Sequence, residues 1–380
     1  MAKRKANYDL LRIIAMLGII MFHHFGSRTP NRFVELSSGF TNSTYFYDFI
    51  NNVPGKVSSV SLLMDFCYGH LGNGGNLVFM LLTGYFLFGR KITFPKRVRS
   101  AGKVLYAILF YGIVLTLINA ALLKFAYPFD CFKGYLPLFT LPNWLSGDNM
   151  WYLQAYGIFI LVILPLLKLF EEKLTQTSHL CLALSLLFVH FLAYSIYLPD
   201  LWLHQRILNF ILCYYIGGYF AKYPVQISLK KLIACACSYI VIYFLYEYYW
   251  RYANAVAYSP SEYSYLDVMQ PFICCIIYAV LLFLIFARIE VPSWVSPKLL
   301  GRLSVSTLGI YIFHYNMISL SFILAETYWW SNWSRKGFFV FVIIDTILLF
   351  VAGTLIDLLR QWSYKHVEKR VEALFPVVSE

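Results

Sequence analysis

Apolar runs of bilayer length recur about ten times along the 380 residues, with only short polar segments between most of them. A membrane-spanning helix needs roughly 20 mainly apolar residues. Such runs lie at 8–26, 74–89, 100–124, 149–170, 177–198, 206–221, 229–249, 267–287, 303–326 and 337–359. The chain is 60% hydrophobic and only 13% charged, with a mean hydropathy of +0.63. Soluble domains carry about 25% charged residues, and one aqueous core cannot hide this much apolar side chain. In hydrocarbon the backbone must satisfy its own hydrogen bonds, which leaves helices for runs of this length. The predicted fold class is an all-α integral membrane protein of about ten transmembrane helices. Residues 1–360 read as one polytopic transmembrane domain, and 361–380 as a short cytoplasmic tail. The first run contains Arg12 and lacks a small-residue cleavage site, so it reads as a permanent helix and not a signal peptide.

Basic residues give the expected orientation. With Lys3, Arg4 and Lys5 in the cytoplasm and ten crossings, both termini lie on the cytoplasmic side, together with 22 of the 31 Lys and Arg residues. Basic loops facing anionic lipid account for the net charge of +12 without a nucleic-acid partner. The densest patch is GRKITFPKRVRSAGK, residues 89–103. The eight cysteines show no metal-binding or disulfide spacing. Only Cys67 and Cys131 fall in expected outer loops, where one bridge is conceivable. His70 reads as a loop residue beside the second helix, and His179 and His366 as solvated cytoplasmic residues.

Polar residues inside apolar runs are costly and therefore informative. The stretch NYDLLRIIAMLGIIMFHHFG, 7–26, carries Arg12 and His23 eleven residues apart. At 100° per residue, eleven steps return to within about 20° of the same face, with a rise of roughly 16 Å. One face thus holds a fixed cation at one depth and an imidazole at another. His24 points about 100° away. Asp9 lies one turn before Arg12 and can pair with it. Two readings remain open from position alone: a functional face, or an arginine reaching to the headgroups with a histidine at the interface.

Five stretches in order carry a resemblance to a known family. They are NYDLLRIIAMLGIIMFHH (7–24), GNGGNLVFMLLTGYFLFGRK (72–91), the basic patch, NMWYLQAYGIFILVILP (149–165) and SVSTLGIYIFHYN (304–316). Together they resemble the membrane acyltransferase-3 family, and among its branches the bacterial surface-polysaccharide O-acetyltransferases. Arg12 and His23 fit the family's first-helix spacing of a basic residue, ten residues and a histidine. Thr83 stands where the family more often has serine, and the register of Lys96, Arg97, Arg99 and Lys103 departs from its Arg-x-x-Arg pattern.

The resemblance implies transfer of an acyl group, most commonly acetyl, from cytoplasmic acetyl-CoA to a carbohydrate hydroxyl, in the bacterial cytoplasmic (inner) membrane. Acetyl-CoA is then a donor substrate, with no permanently bound cofactor and no metal, and the partners are the carbohydrate acceptor and membrane lipid. His23 and Arg12 would be catalytic. Arg97, Arg99 and Lys103 suit the CoA phosphates, because guanidinium groups bind phosphate bidentately. Asn76 and Tyr85 would hold the donor. Trp151, Tyr152 and His314 would meet the acceptor. Histidine serves as a general base near neutral pH or as a nucleophile, and the sequence leaves that choice open. The rival reading is a transporter or flippase for a lipid-linked sugar or small solute. Against it, there is no inverted repeat, and the polar residues concentrate in helices one to three.

Overall fold

The computed structural model describes residues 6–26, 66–125, 151–195, 202–254, 265–328 and 335–374, and among them every regular element is helical. They are α1 (Ala6–Gly26), α2 (Gly74–Leu87), α3 (Phe94–Phe125), α4 (Trp151–Ile158), α5 (Leu164–Glu171), α6 (Gln176–Ser195), α7 (Trp202–Lys222), α8 (Leu229–Asn254), α9 (Tyr265–Arg288), α10 (Pro297–Tyr328) and α11 (Arg335–Leu374). A π-helical segment, Cys67–Asn73, runs into α2 without a break, and a second, Phe159–Ile163, joins α4 and α5 into one rod. The second has a visible cause. Pro165 sits at the start of α5 and has no N–H for the carbonyl four residues back, so the ladder widens just before it. A helix therefore covers each of the apolar runs. Five stretches among the described residues are long and apolar enough to cross a membrane: Ala6–His24, Phe94–Ile118, Trp151–Glu171, Leu229–Tyr246 and Val340–Val367.

α1 forms the seam between two apolar clusters. Ile13, Met16, Ile19 and Ile20 pack into a group built mainly from α3, α10 and α11. Tyr8, Leu11 and Ala15 pack into a second group built from α2, α4, α7 and α9. In the second group α2 and α7 cross at glycines. A Cβ on Gly84 would fall 2.5 Å from the Tyr214 carbonyl oxygen, and one on Gly217 would meet the Leu81 carbonyl oxygen. Small residues at such crossings let transmembrane helices approach closely. By contrast α8 turns Ile233, Val241, Ile242 and Leu245 outward, as a lipid-facing helix does.

Cations tie the short connections of the bundle to one another. Lys168 donates to the Leu87 carbonyl (2.6 Å), Lys222 to the Leu174 carbonyl (2.7 Å), and Arg288 to the Val225 carbonyl. Each satisfies a carbonyl at or just beyond a helix C-terminus, where a positive charge is favoured. The α2–α3, α5–α6, α7–α8 and α9–α10 connections therefore share one end of the bundle, and basic residues hold that end together.

Two charged clusters are buried near it. Lys168 pairs with Glu171 at 2.7 Å, and Tyr214 donates to the other Glu171 oxygen at 2.5 Å. Asp357 accepts hydrogen bonds from Arg360 (2.6 and 3.2 Å), Gln361 (2.7 Å) and Tyr111 (3.2 Å), linking α3 to α11. Gly309 makes room for this cluster, since a Cβ there would overlap the Asp357 carboxylate and the Tyr111 hydroxyl.

Two histidines differ from the sequence expectation. His179 is fully buried and not solvated, because its ring stacks on Phe88 at 4.8 Å and its Nε2 donates to the Tyr215 carbonyl at 2.8 Å. His70 lies in the first π segment and not in a loop. Its ring stacks on Phe66 and its Nε2 donates to the Tyr239 hydroxyl at 2.6 Å, which donates onward to the Cys274 carbonyl at 2.9 Å. Cys67 is a buried free thiol, and Cys131 lies outside the described residues.

Candidate functional site

The last turns of α1 bring its two histidines against different helices. His23 faces α10, where its ring centroid lies 5.1 Å from that of His314. His24 faces α11 and sits 2.7 Å from Asp345, Nε2 to Oδ2. The 100° between adjacent helical positions produces this division.

Backbone carbonyls set the tautomers of two of these rings. His314 Nδ1 lies 3.0 Å from the Ile310 carbonyl, and His24 Nδ1 lies 2.9 Å from the Ile20 carbonyl. A carbonyl only accepts, so each Nδ1 carries the proton and donates it. His314 Nε2 is then the ring nitrogen with the lone pair, on a fully buried side chain beside His23. His24 differs, because its second nitrogen also faces an acceptor, the Asp345 carboxylate.

From the histidine pair a line of rings runs toward α4. Tyr311 lies 5.7 Å from His314, Tyr152 5.6 Å from Tyr311, and Trp151 5.7 Å from Tyr152. The Arg206 guanidinium of α7 then stacks 4.1 Å above Trp151, a cation–π contact. The residues expected to meet the acceptor (Trp151, Tyr152 and His314) are thus continuous with His23. Arg206 joins them unannounced, and Tyr311 joins as the tyrosine of the Tyr-x-x-His spacing in the last family-like stretch. Tyr311 stands three residues before His314, one turn away on the same face, a spacing visible in IYIFHYN.

Arg12 pairs with Asp9 at 3.0 Å and lies 5.1 Å from the Phe86 ring centroid. Tyr85 packs beside it, 4.9 Å from Tyr8 and 5.2 Å from Phe86. The backbone of α2 fixes the depth of Asn76: a Cβ on the preceding Gly75 would meet Ala15 and Ile19 of α1, so Asn76 lies between the levels of Arg12 and His23. Asn76 is buried, and among the described residues its side-chain carbonyl has no hydrogen-bond partner. A buried, unsatisfied amide costs about 1–3 kcal/mol and marks a position suited to a polar ligand. Thr83 instead returns its hydroxyl to the Phe79 carbonyl at 2.9 Å.

The basic residues of α3 stand apart from the histidines, in its first turns. Lys96, Arg99 and Lys103 are exposed, whereas Arg97 is half-buried with its guanidinium 5.5 Å from Phe94. Lys103 lies 5.7 Å from the Tyr364 ring, and Tyr106 donates to Ser363 at 2.8 Å, so α11 backs this segment.

Asp345 is the residue the sequence reading passed over. Its signal is there: it is the one acid in the fifteen-residue apolar stretch FVFVIIDTILLFVAG, 339–353, with no basic residue in that stretch to pair it. Its partner His24, set off the Arg12–His23 face, lies 321 positions away, so spacing within one helix could not pair them.

Residues 5–356 match the family model of an acyltransferase domain, nearly the whole chain. No curated protein and no solved structure matches it. The match runs through every helix that builds the histidine pair, the aromatic line and the basic segment, and the chain belongs to the acyltransferase-3 family as a multi-pass membrane acyltransferase.

Proposed function

We propose that this protein is an O-acetyltransferase of the bacterial cytoplasmic membrane, moving acetyl from cytoplasmic acetyl-CoA to a hydroxyl of a cell-surface or lipid-linked carbohydrate. The observation that carries the reading is the packing of His23, on the same helix face as Arg12, against the buried His314, within a family of acyltransferases. In this reading ten helices cross the membrane, both termini are cytoplasmic, and the cation-tied end of the bundle faces the cytoplasm. That orientation agrees with the positive-inside rule.

Arg97, Arg99 and Lys103 then meet the CoA phosphates at the cytoplasmic mouth. The pantetheine arm passes Arg12, Tyr85 and Asn76 and brings the thioester to the imidazoles, over a depth of about 16 Å. The acceptor sugar lies along Trp151, Tyr152 and Tyr311, since aromatic faces suit the apolar faces of sugar rings. His23 takes the proton of the acceptor hydroxyl as its oxygen attacks the thioester carbonyl. The carbon–sulfur bond breaks, and the CoA thiolate leaves with that proton. The neighbouring His314 holds a second basic nitrogen against the same site.

The test uses purified protein in liposomes, radiolabelled acetyl-CoA and a glycan extract, with wild type and His23→Ala compared. Label reaching glycan or water with wild type alone supports the reading. No label movement by a well-folded wild type overturns it and favours a flippase, which changes only the sidedness of its substrate.

A further inference from the structure

Four carboxylates are buried among the described residues: Asp9, Glu171, Asp345 and Asp357. Three have a permanent cation three residues away on their own helix. Asp9 has Arg12 at 3.0 Å, Glu171 has Lys168 at 2.7 Å, and Asp357 has Arg360 at 2.6 Å. Asp345 differs from them. Its ion-pair partner is His24, an imidazole whose charge depends on one proton.

The geometry fixes where that proton sits. His24 Nδ1 donates to the Ile20 carbonyl, so a neutral ring would turn the lone pair of Nε2 toward Asp345 at 2.7 Å. Two acceptors do not approach so closely without a hydrogen between them. One proton therefore lies between Nε2 and Oδ2, and the pair is neutral overall, as burial requires. Among the groups facing His24 are Asp345 and the Phe341 ring from α11 and the Ile20 carbonyl from its own helix, and His23 directly precedes it on α1, with His314 beside His23. The imidazole end of the pair thus lies on α1 next to His23, and the carboxylate end on α11.

We propose that Asp345 is a positioning residue that, through His24, stores one proton within the site and so keeps the adjacent His23–His314 pair uncharged, with its lone pairs unoccupied, when the acceptor arrives. A cation already present at His24 opposes a second one nearby, since like charges repel strongly where water is scarce. The stored proton is not consumed. In each turnover the histidine pair takes the acceptor's proton and passes it to the departing thiolate. The same bond pins the end of α1 to α11 and fixes the direction of His23. This role rests on the acyl-transfer reading above.

The experiment combines two measurements on the full chain in nanodiscs. Nitrogen-15 histidine NMR reads the protonation of His24, its signal assigned by loss in His24→Gln. Wild type is expected to show a ring with protons at both nitrogens, and Asp345→Asn a neutral ring with its proton on Nδ1. Steady-state kinetics is expected to show kcat about 30-fold lower in Asp345→Asn, less than the roughly 10²–10⁴ expected for loss of a general base itself, as suits a residue acting through another. Both KM values stay within about twofold, and Asp345→Glu recovers much of kcat. A merely structural bond would not give that split. A neutral His24 ring in wild type overturns the proposal, as does an unchanged kcat in Asp345→Asn, and the wild-type spectrum decides even if that variant misfolds. A wild type with the doubly protonated ring but no acetyl transfer removes the acyl-transfer reading and this role with it. Acetyl transfer without that ring overturns Asp345 alone.

Discussion

At the scale of single residues, the histidines divide the work that the sequence presents as one motif. His23 reaches His314, while His24 is spoken for by Asp345 and Ile20. His23→Ala should lower kcat by about 10²–10⁴, the range for loss of a general base. If His23 and His314 act as a unit, the double variant should be little worse than the more damaging single one, which a double-mutant cycle on kcat measures. Additive losses would separate the two rings. The eleven-residue interval between Arg12 and His23 was legible because it lies within one helix and obeys helical geometry. The pairing of His24 with Asp345 was not, because it joins residues 24 and 345 across the packed bundle. Gly309 belongs to the same lesson. Nothing in STLGIYIF announces that Asp357 needs its space, yet Gly309→Ala should destabilise the folded chain by about 1–3 kcal/mol, the usual cost of overpacking. Thermal unfolding in detergent reads this as a lower Tm.

At the scale of elements, helix existence followed from hydrophobic length, but irregularity within helices did not. The apolar run at 149–170 is covered by α4 and α5 with a π segment between them. Pro165 was the available clue, since a helix-interior proline must disturb the ladder behind it. The α2–α7 crossing makes its own demand. Gly84→Leu or Gly217→Leu would push a side chain into the carbonyl of the facing helix, and either should abolish well-folded protein on size exclusion. The equally apolar change Leu105→Val, on the exposed side of α3, should leave it intact. The first turns of α3 carry a functional prediction. Arg97→Ala and Arg99→Ala should each raise KM for acetyl-CoA about 10-fold with kcat nearly constant, as expected for a charge-assisted bond made equally in ground and transition states. Saturation kinetics in donor checks this, and an unchanged KM would place the phosphates elsewhere.

At the scale of the whole molecule, the same cations serve two arguments. Counted along the sequence, they gave the expected orientation. Placed in the structure, Lys168, Lys222 and Arg288 bind the short connections of one end into a single layer. Cysteines introduced at the exposed positions Lys91, Glu172 and Lys298 should therefore all react with an impermeant reagent from one side only, the cytoplasmic face. Labelling from opposite sides would break the up-and-down order of the bundle.

The π segment between α4 and α5 has a practical meaning. A helix that takes one extra residue into a turn has slipped its angular phase by about 100° relative to an unbroken one. Trp151 and Tyr152 therefore hold their bearing toward Tyr311 only because five residues, Phe159–Ile163, supply that slip. Removing a single residue there would keep the length and oiliness of the rod almost unchanged while swinging its first two turns like a dial. Such a deletion would act as a molecular clutch: Trp151 and Tyr152 disengage from Tyr311 and the imidazoles, while Glu171 and Lys168 at the far end of the rod stay seated.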